Sequence, residues 1–88
     1  MDISTDELID KLKGEIISQL KLEYLKKEDI DPDANLFGSG LGLDSIDALE
    51  LNVLLEKNYG IKIQSAHVGR KVFKSVRTMA EYILKNKK

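Results

Sequence analysis

The sequence predicts an all-α fold: a small four-helix bundle of three main helices and a short third one, with a long structured loop between helices one and two. Three segments carry apolar residues at helical spacing, and Leu, Ile, Lys and Glu, which favour helices, are abundant. Residues 1–88 are predicted to form a single domain, because so short a chain has no room for two separate cores.

The first helix is predicted over residues 4–21. Ser4 and Glu7 are spaced as a capping box, in which the serine hydroxyl and the glutamate carboxylate each accept a backbone amide at the helix start. Apolar residues then recur at helical spacing, namely Leu8, Ile9, Leu12, Ile16 and Leu20.

Residues 26–43 are predicted to form a long connection. Pro32 biases the residue before it away from α geometry, and three glycines alternate ahead of the next helix, at positions 38, 40 and 42. A loop of this length in a small domain is either functional or disordered. We predict a functional loop that packs on the core, because it carries the apolar residues Ile30, Leu36, Phe37, Leu41 and Leu43.

The second helix is predicted over residues 45–58, with Gly60 suited to the left-handed position that closes a helix. Apolar residues cover more than half of the circumference of this helix, which predicts that it is buried between other helices. One stripe holds Ile46, Leu49 and Val53, and Leu51, Leu54 and Leu55 widen it.

The remaining segments are shorter. Residues 61–63 alternate as an extended segment would, and residues 64–71 are ambiguous, with a short helical turn expected before Gly69. A last helix is predicted over residues 75–86 from Val76, Met79, Ala80 and Ile83, with Phe73 beside it as an anchor.

Composition excludes several kinds of chemistry. The chain has no Cys, so disulfides, thiol nucleophiles and Cys-based metal sites are excluded, and the lone His67 cannot form a metal cluster by itself. We therefore expect no metal site. No apolar run is long enough to span a bilayer, and the N-terminus is acidic where a signal peptide would be basic, so we expect a cytoplasmic protein.

Ser45 follows the glycine-rich segment, lies between two acidic residues and begins an apolar helix. On local pattern alone it is an N-cap, worth about 1 kcal/mol. A catalytic serine is disfavoured because His67 has no orienting acid near it in sequence and a Gly-x-Ser-x-Gly motif is absent. A serine without a partner base must be activated by some other group, or be a substrate itself.

The wider context resembles the acyl carrier protein family. Residues 36–51 read Leu-Phe-Gly-Ser-Gly-Leu-Gly-Leu-Asp-Ser-Ile-Asp-Ala-Leu-Glu-Leu, and Leu54-Leu55-Glu56, Tyr59-Gly60-Ile61 and residues 73–83 continue the likeness over essentially the whole chain. The resemblance implies that a separate phosphopantetheinyl transferase attaches 4′-phosphopantetheine from coenzyme A to Ser45. The arm would carry an acyl group as a thioester between enzymes, for fatty-acid, lipid or polyketide-type biosynthesis, so the resemblance implies a group carrier and not an enzyme.

The resemblance also assigns roles by position. Asp44 would contact the transferase or its metal, and the amides and dipole at the helix start would favour the phosphate. Acyl-loading and acyl-using enzymes would recognise a face formed by Ile46, Asp47, Glu50 and Glu56. The acyl chain would be sheltered by a core that can open, whose residues are Leu49, Val53, Leu54, Ile63, Phe73, Val76, Met79 and Ile83.

Charge distribution separates this chain from many carriers of fatty-acid synthesis. Residues 1–45 hold eleven acidic and five basic side chains, whereas residues 46–88 hold four and nine. The segment 65–74 is basic where those carriers are usually acidic, which indicates a specialised carrier with dedicated partner enzymes. We expect this carrier to be a monomer.

Three alternatives stay open at this stage. A peptidyl or aminoacyl carrier would use the same serine and arm, although the acid before Ser45 favours the acyl type. An unmodified helical interaction module would keep Ser45 only as a cap. Nucleic-acid binding is disfavoured by the acidic first half, since it would depend on one stripe of bases, namely Arg70, Lys71, Lys74 and Arg77.

Overall fold

A computed structural model describes residues 4–37 and 42–86 of the chain. The described residues form four α-helices: α1 (Thr5–Gln19), α2 (Ser45–Tyr59), α3 (Ala66–Val72) and α4 (Val76–Asn86). A short 3₁₀ helix (Lys27–Asp29) lies in the connection between α1 and α2, and no strand occurs within the described ranges. The predicted all-α bundle with a short third helix is therefore confirmed, whereas the loop residues Gly38, Ser39, Gly40 and Leu41 lie outside the described residues.

Helix α1 begins close to its predicted start. The Ser4 hydroxyl accepts the Glu7 amide at 3.1 Å, as a capping box requires, but the Glu7 carboxylate accepts the Ser4 hydroxyl at 3.0 Å instead of an amide. The helix ends at Gln19, earlier than expected, because Lys21 takes a left-handed φ of 56° and the Leu22 amide turns back to the Ile17 carbonyl at 2.8 Å.

The core lies between α1, α2 and α4, since α1 packs against both of the other helices and α3 packs against α4. Every helix and the loop contribute buried apolar side chains to it. These are Leu8, Ile9, Leu12, Ile16, Ile30, Leu36, Leu43, Leu51, Leu54, Leu55, Ile61, Ile63, Val72, Phe73, Val76, Met79, Ala80 and Ile83.

Helix α2 differs most from its prediction. It spans Ser45–Tyr59 and closes at Gly60 with φ 66°, as expected. It is not buried all round, however, because the stripe formed by Ile46, Leu49 and Val53 is 69%, 65% and 46% exposed. Helix α2 thus has two apolar faces. One lies in the core and contains Leu51, Leu54 and Leu55, and the other is the solvent-facing stripe.

Helix α3 continues through Gly69, whereas a turn ending before that residue was expected. The Gly69 amide donates to the Ser65 carbonyl at 2.9 Å, and the Gly69 carbonyl accepts the Phe73 amide at 2.8 Å. Gly69 therefore lies within the helical hydrogen-bond ladder. Ser65 caps the helix, its hydroxyl accepting the Val68 amide at 3.4 Å.

The link between α2 and α3 has no regular secondary structure. Instead, the Asn52 side chain of α2 donates to the Ile63 carbonyl at 3.2 Å and accepts the Ile63 amide at 3.4 Å. These are the two hydrogen bonds that a neighbouring strand would supply. Ile61 and Ile63 are consequently held with their side chains buried.

The loop before α2 is tied to the start of α4. The Leu36 amide donates to the Lys74 carbonyl and the Arg77 amide donates to the Pro32 carbonyl, each at 2.9 Å. The Arg77 side chain also pairs with Asp33. The described part of the loop is therefore packed on the core, as its apolar residues Ile30, Leu36 and Leu43 predicted.

Tyr59, at the end of α2, is bound to α1. Its hydroxyl donates to the Glu15 carboxylate, Asn58 donates to the same carboxylate at 3.2 Å, and the Lys11 ammonium lies 5.4 Å from the Tyr59 ring centre. Burial, together with the Glu15 hydrogen bond, raises the pKa of Tyr59 above its ordinary value of 10.0. The folded state thus favours the neutral phenol.

We expect Tyr59→Phe to lower the free energy of unfolding by about 1 kcal/mol at neutral pH, the net value of a hydrogen bond. This contribution is fully present below pH 10.0 and is lost as the pH rises above it toward the raised pKa, so wild type and variant should converge there. Urea unfolding at neutral pH and again above pH 10.0 measures the difference in the free energy of unfolding between wild type and variant. Tyr24→Phe is the control, since Tyr24 is 76% exposed and should show neither effect. A pH-independent difference would contradict the assignment.

Candidate functional site

The site is centred on the N-terminus of α2, where Asp44 caps the helix. Asp44 Oδ1 accepts the Ile46 amide at 3.0 Å and the Asp47 amide at 3.1 Å, while Asp47 Oδ2 accepts the Asp44 amide at 3.0 Å. The expectation that Ser45 is the N-cap is therefore wrong. Asp44 takes that position because its backbone is extended and its carboxylate reaches two amides at once.

Ser45 is consequently the first residue of α2 and is exposed. Its hydroxyl makes no hydrogen bond to any residue within 4–37 and 42–86. The amides of Ile46 and Asp47, which were expected to remain free for an anion, are already bound by Asp44. An anion on Ser45 would therefore depend on the helix dipole more than on these two amides.

A cavity of about 700 Å³ adjoins Ser45. Its walls come from the loop before α2, from one face of α2, from the link that follows it and from α3. The residues that line it are Phe37, Leu43, Asp44, Ser45, Ala48, Leu49, Asn52, Ile63, Gln64, Ser65, Gly69, Arg70 and Phe73. The walls are mainly apolar, with polar groups near Ser45 and along α3.

The cavity brings together three of the eight residues expected to shelter an acyl chain, namely Leu49, Ile63 and Phe73. The other five are not among its walls. Leu54, Val76, Met79 and Ile83 are buried in the core. The expectation of core packing is wrong for Leu49 and Val53, which are both exposed, because the core face of α2 is formed by Leu51, Leu54 and Leu55 instead.

Sequence reasoning missed several cavity residues. Phe37 and Leu43 were identified only as loop anchors, and Gly69 only as a glycine in a basic segment. Ala48 and Asn52 follow Ser45 at spacings of three and seven residues, so helical periodicity from Ser45 could have placed them on the same face. Gln64, Ser65 and Arg70 carried no signal, because the course of the link was not predictable.

The acidic residues expected to face partners lie in different environments. Asp47 is half-buried, and its carboxylate accepts the Asp44 amide. Glu50 is also half-buried, and its carboxylate accepts a hydrogen bond from the Gln19 side chain at 3.5 Å. Glu56 is exposed. The apolar Ile46 projects next to Ser45 with 69% of its side chain exposed.

The four bases of the later segment do not form one free stripe. Arg70 lines the cavity, and Lys71 and Lys74 are exposed. Arg77 is paired with Asp33, and this hydrogen-bonded contact raises the pKa of Arg77 and lowers the pKa of Asp33. One of the four bases of the predicted stripe is therefore already paired with an acidic side chain. No helix in the described part of the chain is long and apolar enough to cross a membrane.

Comparison with known proteins gives consistent matches. The family described as "Phosphopantetheine attachment site" matches residues 10–83. The acyl carrier proteins of Onion yellows phytoplasma (strain OY-M) and Aster yellows witches'-broom phytoplasma (strain AYWB) are each 39% identical over 79 residues, covering 90% of this chain and 96% of theirs. The acyl carrier protein of Brachyspira hyodysenteriae (strain ATCC 49526 / WA1) is 37% identical over 81 residues, covering 92% of this chain and 97% of its own.

Proposed function

The chain belongs to the acyl carrier protein family, and we propose that Ser45 is the residue to which its 4′-phosphopantetheine arm is attached. The observation that carries this assignment is the position of Ser45, an exposed serine at the first position of α2 and at the edge of a mainly apolar cavity. A phosphodiester at this hydroxyl would lie at the positive end of a 15-residue helix.

The arm gives this protein its chemistry. When attached, it would supply the thiol that a cysteine-free chain lacks, and this thiol would hold the acyl group as a thioester. The protein positions the arm and presents it to other enzymes. We propose that it is a substrate for those enzymes and has no catalytic activity of its own.

The cavity suits the cargo. Apolar walls at Leu43, Leu49, Ile63 and Phe73 would exclude water from an acyl chain, and each methylene so buried contributes roughly 0.8 kcal/mol. Leu54, Val76, Met79 and Ile83 lie in the core and would be reached only if the helices move apart. Leu49 would be the movable wall, because most of its side chain is exposed.

The attachment site is tested by incubating the apo protein with coenzyme A and a broad-specificity phosphopantetheinyl transferase, followed by intact mass measurement. We expect wild type to gain one phosphopantetheine and Ser45→Ala to gain none. Ser65→Ala is the matched control, because Ser65 is also an exposed hydroxyl at a helix start in the cavity wall. It should be modified as wild type is.

Two outcomes would contradict the assignment. If wild type gained no mass, the chain would be an unmodified helical module. If Ser45→Ala gained the same mass as wild type, another residue would hold the arm.

For partners, we propose that the transferase and the acyl-handling enzymes contact the start of α2, where Ile46 is exposed beside the acidic Asp44, Asp47 and Glu50. The basic residues on and after α3 support dedicated partners, with the carrier acting as a cytoplasmic monomer. Steady-state rates with housekeeping fatty-acid elongation enzymes test this. Rates equal to those of a housekeeping carrier would rule out specialisation.

A further inference from the structure

Gly69 has no evident backbone reason to be glycine. It lies inside α3, in the helical hydrogen-bond ladder, and its φ is not in the left-handed region that Gly42 and Gly60 occupy. Glycine within a helix is less stable than alanine, because it loses more backbone freedom on folding. The chain therefore keeps a destabilising residue at a position whose conformation any residue could adopt.

Crowding does not require the glycine either. A Cβ at position 69 would meet the Ile63 Cγ2 atom at 3.7 Å and the Phe73 ring at 3.8 Å, which are ordinary van der Waals distances. At Gly14, by contrast, a Cβ would approach Lys27 Cε to 2.9 Å. An alanine at position 69 would thus fit without displacing a neighbour.

The space that a side chain at position 69 would fill belongs to the cavity. The two residues that its Cβ would touch, Ile63 and Phe73, are both cavity walls, as is Gly69 itself. A longer side chain there would extend between these two walls and shorten the space available from Ser45. The absence of a side chain at position 69 therefore makes α3 less stable and the cavity larger.

We propose that Gly69 is a specificity-determining residue that enlarges the cavity for acyl chains of medium length. This inference rests on the proposed attachment of the arm at Ser45. Short acyl groups would not reach α3 and would be indifferent to residue 69, whereas longer ones would occupy the space between Ile63 and Phe73.

The experiment compares wild type, Gly69→Ala and Gly69→Leu, each loaded by the transferase from acetyl-, butyryl-, hexanoyl-, octanoyl- and decanoyl-coenzyme A. Intact mass first verifies loading, and the melting temperature of each form is then measured against its own apo form. Lys71→Leu is the matched control, because it places the same leucine on an exposed site of the same helix outside the cavity wall.

We expect the apo Gly69→Ala protein to melt about 2–8 °C higher than wild type. In wild type and in Lys71→Leu, the melting temperature should rise from acetyl to octanoyl as methylenes are buried. Gly69→Leu should lose most of this rise and Gly69→Ala part of it, with the acetyl forms unaffected.

An equal rise with chain length in wild type and Gly69→Leu would overturn the inference, and so would the absence of any rise in wild type. If Gly69→Leu does not fold, the Gly69→Ala series and NMR contacts between the octanoyl chain and the Ile63 and Phe73 side chains decide the question. If octanoyl-loaded wild type shows no NMR contacts between the acyl chain and these two side chains, the proposal is overturned. Failure of loading, seen by mass, would instead refute the attachment site on which it rests.

Discussion

Replacing Leu54 with alanine should lower the free energy of unfolding by about 2–5 kcal/mol, whereas replacing its neighbour Val53 with alanine should change it by less than about 0.5 kcal/mol. Leu54 is 0% exposed and Val53 is 46% exposed. Truncating Leu54 removes buried methyl groups and leaves a cavity that the neighbouring helices fill only in part. Urea unfolding followed by circular dichroism measures both values.

The expected loss for Leu54→Ala is so large that the experiment needs a milder variant at the same position. Small domains have a total stability of about 5–15 kcal/mol, so Leu54→Ala removes a large share of it. Leu54→Met keeps the volume and should cost less than about 1.5 kcal/mol, which provides a folded variant if the alanine protein is unstable. Equal losses at Val53 and Leu54 would show that the stripe of Ile46, Leu49 and Val53 is buried in solution, contrary to the structure.

Replacing Asp44 with alanine should slow modification of Ser45 by roughly tenfold to a hundredfold, because a hydrogen bond or contact made by a charged group contributes about 1.5–3 kcal/mol. The same change should lower the free energy of unfolding by about 1 kcal/mol, since Asp44 is the N-cap of α2. Initial rates of phosphopantetheine transfer and urea unfolding measure the two effects separately.

Asp44→Asn separates recognition from capping. Asparagine caps helices about as well as aspartate, and it adds no hydroxyl that could compete with Ser45. Its stability should be close to that of wild type, while its modification rate should stay low because the negative charge is gone. A wild-type rate in Asp44→Asn would mean that Asp44 acts only as a cap.

The main helices follow from sequence because local signals agree with the tertiary fold. In α1, Leu8, Ile9, Leu12 and Ile16 recur at helical spacing and are all buried. The end of that helix was not predictable, since it depends on Lys21 adopting a left-handed φ, and no lysine signals this. At the end of α2, Gly60 adopts the same region and does give a signal.

The faces of α2 were harder to predict than its span. Ile46, Leu49 and Val53 have the spacing of a core stripe, yet they face solvent, whereas Leu51, Leu54 and Leu55 of the same helix are buried in the core. Periodicity shows which residues share a face, but it does not show whether a neighbour covers that face.

The candidate site could be predicted at its centre but not at its edges. Ser45 and Asp44 are given by a motif that the family resemblance covers, although the exchange of capping roles between them needed the geometry of two carboxylate contacts. The far wall, at Gly69 and Arg70, depends on the path of the link after α2. That path is fixed by a side-chain contact over a separation of 11 residues, which no local pattern encodes.

This contact, between Asn52 and Ile63, joins two of the cavity walls, namely α2 and the link that follows it. It fastens the link to α2, so the link and the α2 face move together, whereas α3 packs mainly against α4. The cavity wall on α3 has no such tie to α2 among the hydrogen bonds of the described residues, so it is joined to the α2 wall only through the link. A long cargo that reaches α3 would therefore contact a wall that is separate from the start of α2, the part of the surface that we propose partner enzymes recognise.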